Sequence, residues 1–386
     1  MYQLQLDLQP GVGAGPFQLG QSLWHVIGVL REDRTSYPKV DVQWDIDSPA
    51  TSPIILRTAH IDLLFSPLHQ RLSMISIHKL RSSPALGLRY KGNVISSWSP
   101  GHEGDVVLRK HGVGKVFGPT YPGETMRYPG IWFGFEEDGE QGKAFKAVSV
   151  SSSPVSGEDR MLEVRRVVVT QKEERDALDE VSECESMLGD IAHATIQVHE
   201  GLTIQFYPLT NPPVHVILNK TTAQDLTVDV GTPLRVYYKE DDRMSIHASP
   251  RPSPDDETGD YFYNYMQHGI DFLISGKTHI VKKIVLHSNV PGSPMFQRYK
   301  RCPWEFGLSS DEDEDSDAGP SFVGKVDKII AFLAPDAREQ PASMLYDRAE
   351  DESLALPSTT LTGLMGFDGV ILEVAESEHV LSVTLF

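Results

Sequence analysis

With 386 residues, 40% of them hydrophobic, the chain is too long for one ordinary core, and its formal net charge of -19 opposes wholesale binding to nucleic-acid phosphate. Its two cysteines, Cys184 and Cys302, allow one bridge at most and exclude a disulfide framework, so free thiols in a reducing compartment are expected. The opening MYQLQLDLQPG lacks the basic start and apolar core of a signal peptide, and no apolar run approaches the ~20 residues that span a bilayer, so a soluble cytosolic chain is expected, peripheral if it meets a membrane.

Tyr2 to Leu8 alternates polar and apolar residues and reads as a half-exposed strand, followed by a Gly-rich loop from Pro10 to Pro16. Leu23, Val26, Ile27 and Leu30 recur at helical spacing. Strands are expected near Val40–Trp44, Ile54–Arg57, Ile61–Phe65 and Leu72–His78. The same grammar returns with a short helix at Asp225–Val230, stopped by Gly231 and Pro233. Strands follow at Arg235–Tyr238, Asp260–Met266, Ile270–Ile274 and Val281–His287. Val326, Ile329, Ile330 and Leu333 form a further helical face, and Val370–Val374 and Leu381–Leu385 read as the final strands. Strands opening on Gly or His recur at His60, Gly130, Gly201, Gly269 and Gly369. The expected fold is α+β and sheet-rich, built of degenerate repeats of a helix packed on an antiparallel β-meander.

The expected division is an N-terminal unit 1–148, a variable insert 149–195, a central unit 196–306, an acidic linker 307–322 and a C-terminal unit 323–386. The linker carries Asp311 to Asp315 beside Ser309 and Ser310, which makes those serines candidate phosphorylation sites for an acidophilic kinase. Ser249 to Gly259 reads as a loop between strands.

Motifs for chemistry are poorly served. Gly11-Val12-Gly13-Ala14-Gly15 is followed by Pro16 and lacks the spacing of a dinucleotide loop. His247, His268, His279 and His287 share one module but show no zinc-ligand spacing, and hydrogen-bonded strand histidines account for them. There is no GxSxG elbow, and Cys302 reads as a buried thiol. Glu136 and Glu137 are adjacent and would point to opposite faces of a strand. No catalytic residue, cofactor or metal ligand is assigned.

The binding candidates are Lys282, Lys283, His287, Asn289, Arg298, Tyr299, Arg301, Tyr261 and Asn264. Lys282 and Lys283 should face opposite sides of a strand, and Arg298 with Lys300 would form a basic rim. Tyr261, Tyr263 and Tyr265 share one strand face, with Phe262 and Asn264 on the other. Such a set suits an anionic headgroup or a peptide, and equally a solvated strand face packed by tyrosine rings. Phe145-Lys146-Ala147-Val148 has the aromatic-x-x-aliphatic form of a docking peptide.

One family carries these motifs in order. Asp260-Tyr261-Phe262-Tyr263-Asn264-Tyr265, Gly269-Ile270-Asp271, Val281-Lys282-Lys283, Leu286-His287-Ser288-Asn289 and Arg301-Cys302 closely resemble the phagosome (phagophore) assembly factors, sometimes labelled lin-10-like. So do Gly20-Gln21-Ser22-Leu23, Phe117-Gly118-Pro119-Thr120-Tyr121-Pro122-Gly123 and the closing Leu381–Phe386. The resemblance implies a non-enzymatic cytosolic scaffold recruited to forming autophagosomal membranes through a WD-repeat β-propeller partner. It also associates the family with phosphoinositide membrane and, for some members, with Golgi trafficking. The alternatives are a stand-alone phosphoinositide-binding module and a Golgi or endosomal trafficking factor. An enzyme with an unrecognised site would need a cleft of convergent, pKa-perturbed groups.

Overall fold

Short alternating segments separated by Gly, Pro and Asn turns dominate this chain, and they form sheets. The computed structural model describes residues 4–100, 104–120, 125–135, 160–172, 179–238, 259–307, 319–336, 340–347 and 361–386. Two compact units emerge: Met1–Asp45 with Ser52–Met187, and Ile46–Thr51 with Leu188–Phe386.

Unit one runs β1 (Leu4–Gln9), β2 (Gly13–Ala14), β3 (Phe17–Gln18), α1 (Leu23–Glu32), β4 (Asp41–Gln43), β5 (Ile54–Arg57), β6 (Ile61–Phe65) and β7 (Leu72–His78). It continues with β8 (Leu86–Tyr90), β9 (Asn93–Trp98), α2 (Lys110–Phe117), β10 (Thr125–Tyr128), β11 (Ile131–Gly134) and β12 (Arg166–Thr170). Its sheets are ordered β3-β2-β1-β8-β9 and β10-β11-β12-β7-β6-β5-β4.

Unit two runs β13 (Ile191–Gln197), β14 (Gly201–Phe206), β15 (Val214–Ile217), α3 (Ala223–Asp229), β16 (Arg235–Tyr238), β17 (Tyr261–Tyr265), β18 (Ile270–Ile274) and β19 (Val281–His287). It closes with β20 (Trp304–Phe306), α4 (Val326–Leu333), β21 (Met344–Asp347), β22 (Leu361–Phe367), β23 (Val370–Val374) and β24 (Val380–Leu385). Its sheets are ordered β15-β14-β13-β20 and β16-β17-β18-β19-β24-β23-β22-β21.

These sheets correct the expected fold. Helices do not each cover a separate meander; four sheets gather the strands, with four α-helices among the described residues. In unit two, β19 pairs antiparallel with β24, so segments far apart in sequence join edge to edge in one eight-stranded sheet. In unit one, β7 pairs with β12 in the same manner. The physical reason is that a meander leaves a row of N–H and C=O groups at each edge, and pairing two edges satisfies both.

Both units follow one order of events. Three strands form antiparallel pairs and are followed by a helix and a four-stranded meander. A further strand returns to pair in parallel with the first, β8 with β1 and β20 with β13. A second helix and a closing meander end each unit. The four helices also start alike. The residue before each one makes an isolated antiparallel bridge near the start of a later strand: Ser22 with Arg71, Arg109 with Glu163, Thr222 with Ile280, and Lys325 with His379. Ser22 Oγ accepts the His25 N–H, and Thr222 forms a capping box with Asp225.

In unit two, one apolar cluster joins both sheets and both helices. Ile196, Ile204, Leu226, Phe272, Ile284, Trp304, Ile329, Leu372 and Val383 belong to it, all with almost no exposure. Unit one buries Leu6, Phe17, Leu23, Val26, Leu63, Ile75, Phe133 and Val167 to the same degree.

Candidate functional site

β17, β18 and β19 carry the densest run of motif residues, and their register decides which of those residues meet. Asn264 lies opposite Asp271, and Tyr263 opposite Phe272. Alternation then places Asn264 and Asp271 on one sheet face and the three tyrosines on the other. The tyrosine rings run along the strand as a row, with centroids of Tyr261 and Tyr263 at 5.5 Å and of Tyr263 and Tyr265 at 6.5 Å. Tyr265 donates to the Gly231 carbonyl at 2.8 Å, tying the strand to the loop after α3. The Tyr261 hydroxyl pairs with His279 Nδ1 at 2.8 Å; burial, with Tyr263 and Tyr238 nearby, pushes its pKa up to about 12.

The opposite face holds a buried acid. Asp271 accepts from Asn264 Nδ2 at 2.8 Å and from the Tyr299 hydroxyl at 2.7 Å, and its Oδ2 lies 3.0 Å from His287 Nε2. The His287 and Tyr299 rings stack at 3.7 Å, nearly parallel. Burial, and then the Asp271 carboxylate, raise the Tyr299 pKa, so the phenol stays a donor. A buried carboxylate with several donors is a stable arrangement, because its desolvation is offset by charge-assisted hydrogen bonds.

Gly269 makes this assembly possible. Its φ is +72°, and a Cβ there would collide with the Lys300 carbonyl oxygen. The Lys300–Cys302 segment therefore closes against the start of β18 and brings Tyr299 onto His287. Arg301 is buried and donates from Nε to the Ser288 carbonyl at 2.9 Å, from Nη1 to the Ala50 carbonyl at 3.1 Å, and lies over the Phe322 ring. Asn289 takes a left-handed backbone, φ +46°, and its Oδ1 accepts the Gln297 N–H at 2.9 Å. Lys300 pairs with Asp190. Cys302 is fully buried, and burial raises its thiol pKa.

The nine candidate residues thus separate. Tyr261, Asn264, His287, Asn289, Tyr299 and Arg301 are buried. Arg298 is half-buried, whereas Lys282 and Lys283 are exposed. The two lysines do not face opposite ways as alternation demands. Val281 pairs with Ile274 and Lys283 with Leu273, leaving Lys282 as the extra residue of a bulge. Lys282 Nζ holds Asp260 at 2.9 Å, and Lys283 lies over the Phe386 ring. Ser309, Ser310, His247, Glu136, Glu137 and Phe145 to Val148 lie outside the described residues. Among the described residues no group of three His, Cys, Asp or Glu side chains could hold a metal ion.

What sequence reading missed is the character of the sheet edges. Among the described residues β16 pairs with β17 alone, and every residue of β16 is exposed. Val236, Tyr237 and Tyr238 follow exposed Leu234, and Tyr238 is 66% exposed. At the other edge β21 is equally exposed, with Leu345 at 77%. The signal was present in the alternation of Val236 and Tyr238, but only the strand order shows that β16 is an edge.

Among the described residues, then, the eight-stranded sheet of unit two has an exposed, largely apolar strand at each edge. The comparisons with known proteins point to one family. The family model described as Phagosome assembly factor 1 matches residues 13–386, so the chain belongs to that family. A PHAF1 protein of Arabidopsis thaliana is 27% identical, over 98% of this chain and 92% of its own length. One of Drosophila melanogaster is 25% identical, over 99% and 94%, and one of Caenorhabditis elegans 22%, over 96% and 90%. No solved structure matches the chain. No helix among the described residues is long and apolar enough to cross a membrane.

Proposed function

We propose that this chain is a non-enzymatic adaptor in phagophore assembly, held on forming autophagosomal membranes by a WD-repeat β-propeller partner. The family's printed name supports the setting. The observation that carries the adaptor reading is the β16 edge, where Leu234, Val236, Tyr237 and Tyr238 stand exposed. Natural sheets blunt their edges with charge, proline or cover, and an apolar, aromatic edge suits an added strand. The partner supplies an extended segment that hydrogen-bonds along β16, while alternate side chains set specificity.

The test is affinity capture of the tagged full chain from starved cells, read by mass spectrometry, against a Val236→Asp/Tyr238→Asp variant. A β-propeller protein recovered in stoichiometric amount with the wild type and lost with the variant is the expected result. Recovery of no such protein, or equal recovery with the variant, would overturn the edge as the docking site.

A further inference from the structure

The β16 edge has two unlike sides. Val236 lies opposite Tyr263 and Tyr238 opposite Tyr261, while Arg235 lies opposite Asn264 and Tyr237 opposite Phe262. Alternation therefore puts Val236 and Tyr238 on the tyrosine face, in line with Leu234, and Arg235 and Tyr237 on the Asp271 face. The tyrosine face is the one that packs on α3, since Tyr261 and Tyr265 share an apolar cluster with Leu226 and Val230. At its margin the side chains of Leu234, Val236 and Tyr238 stay exposed.

The other side is cationic. Arg235 is exposed, its guanidinium 5.3 Å from the Tyr237 ring centroid, and among the described residues it forms no ion pair. Arg298 approaches the same side: both arginines lie near enough to Tyr299 to oppose the rise that burial and Asp271 impose on its pKa. Asp271 on that face is already filled by Asn264, Tyr299 and His287, and Asp260, just before β17, is held by Lys282. Asp225 and Asp229 belong to α3, on the tyrosine side. Lys239 to Arg243, which follow β16 and carry both signs, lie outside the described residues.

We propose that the strand received by β16 is an extended segment of a partner protein in which apolar and acidic residues alternate, the apolar ones lying with Leu234, Val236 and Tyr238 and an acid opposite Arg235. The inference rests on β16 being the docking edge. A residue directly opposite on an added strand sits about 5 Å away on the same face, where an opposite charge stabilises the pair and a like charge weakens it. A wholly acidic strand would leave the apolar margin wet, and a wholly apolar one would cover Arg235 without a partner. A period of two satisfies both sides at once.

The experiment is fluorescence anisotropy of short labelled peptides with the purified full chain, at physiological salt, where the remote charges of this acidic chain are screened. One peptide alternates valine and glutamate, a second alternates valine and serine, and a third holds the valines and glutamates of the first in two blocks. The valine–glutamate alternation should bind about threefold tighter than the valine–serine one, and the block peptide should not bind. Arg235→Gln should remove that preference. Arg235→Glu should weaken the glutamate peptide by about tenfold and leave the serine peptide unchanged, which shows that the edge is still folded. Val236→Asp/Tyr238→Asp should abolish binding of both. Equal binding of the alternating and block peptides, a glutamate preference that survives Arg235→Glu, or no binding by any peptide would overturn the proposal. Dimerisation of the chain that excludes the peptides, read by sedimentation, would overturn it in favour of a second copy. Failure here is distinct from failure of the β-propeller partner. Capture of that partner lost with Val236→Asp/Tyr238→Asp but not with Arg235→Glu keeps the edge and removes the alternation, whereas peptide selectivity without capture keeps the alternation and removes that partner.

Discussion

The two units run the same hairpin at the heart of their larger sheets and put it to different ends. β6–β7 and β18–β19 share a register down to the bulge, which falls at Ser73 in one and Lys282 in the other. Each places an Asp on its first strand against a His at the end of its second: Asp62 with His78 at 3.2 Å, and Asp271 with His287 at 3.0 Å. The units diverge at the residue that opens the hairpin. Unit one has His60, whose Nε2 reaches the Pro84 carbonyl at 2.8 Å. Unit two has Gly269, and the space a side chain would fill is taken by Lys300 and Cys302. One pair therefore stays half-buried with two members, while the other draws in Asn264 and Tyr299 and is sealed. One residue's side chain thus decides whether a neighbouring segment can close over a polar pair.

The sharpest way to break the comparison is to remove each acid. Asp271→Ala leaves three buried donors facing nothing and should cost about 3–5 kcal/mol, whereas Asp62→Ala should cost about 1 kcal/mol, read as urea-unfolding midpoints of the full chain. Equal losses would show that burial does not separate the two pairs. Gly269→Ala comes next, at about 2–4 kcal/mol, because the added Cβ meets backbone and the φ is left-handed; a neutral result would mean that the segment does not close there.

Acid titration sharpens the contrast further. Burial, with Lys300 adding to it, pushes the His268 pKa down to about 4. The unfolded chain takes up a proton near pH 6.5 and the folded chain does not, so stability is complete at pH 7 and falls as the pH drops. The loss should be about 2 kcal/mol by pH 5 and should vanish in a His268→Phe variant. The smallest effect is expected at Lys282→Gln, about 0.5 kcal/mol or less, since its pair with Asp260 is exposed and screened. A larger loss would mark the bulge as structurally important.

Much of the local structure was legible. Ile54–Arg57, Ile61–Phe65, Leu72–His78, Arg235–Tyr238, Ile270–Ile274, Val281–His287 and Val370–Val374 form as the period-2 pattern indicates. α1 and α4 follow their apolar stripes, with Leu23, Val26, Ile27 and Leu30 buried in the first. α2 escaped notice because Gly112 and Gly114 lower its helix propensity and only Val113 in it is fully buried. Of the candidate site, the exposure of Lys282 and Lys283 was partly legible. The burial of His287, Asn289, Tyr299 and Arg301 was not, because each is covered by a segment distant in sequence.

The sequence by itself determined the clearly alternating strands such as β5 to β7 and β17 to β19, three of the helices and the family, because these rest on periodicity, capping and motif order, all local along the chain, while strands such as β8, β9, β13 and β22 went unread. Tertiary structure alone decided that β7 meets β12, that β19 meets β24, that β16 is an edge among the described strands, and that Tyr90, Phe117, Tyr128 and Phe133 of unit one gather in one ring cluster. The hydrogen bonds at a strand edge are the same whatever the sequence, so the choice of partner follows from which apolar faces must be buried together. That is a property of the whole packed unit.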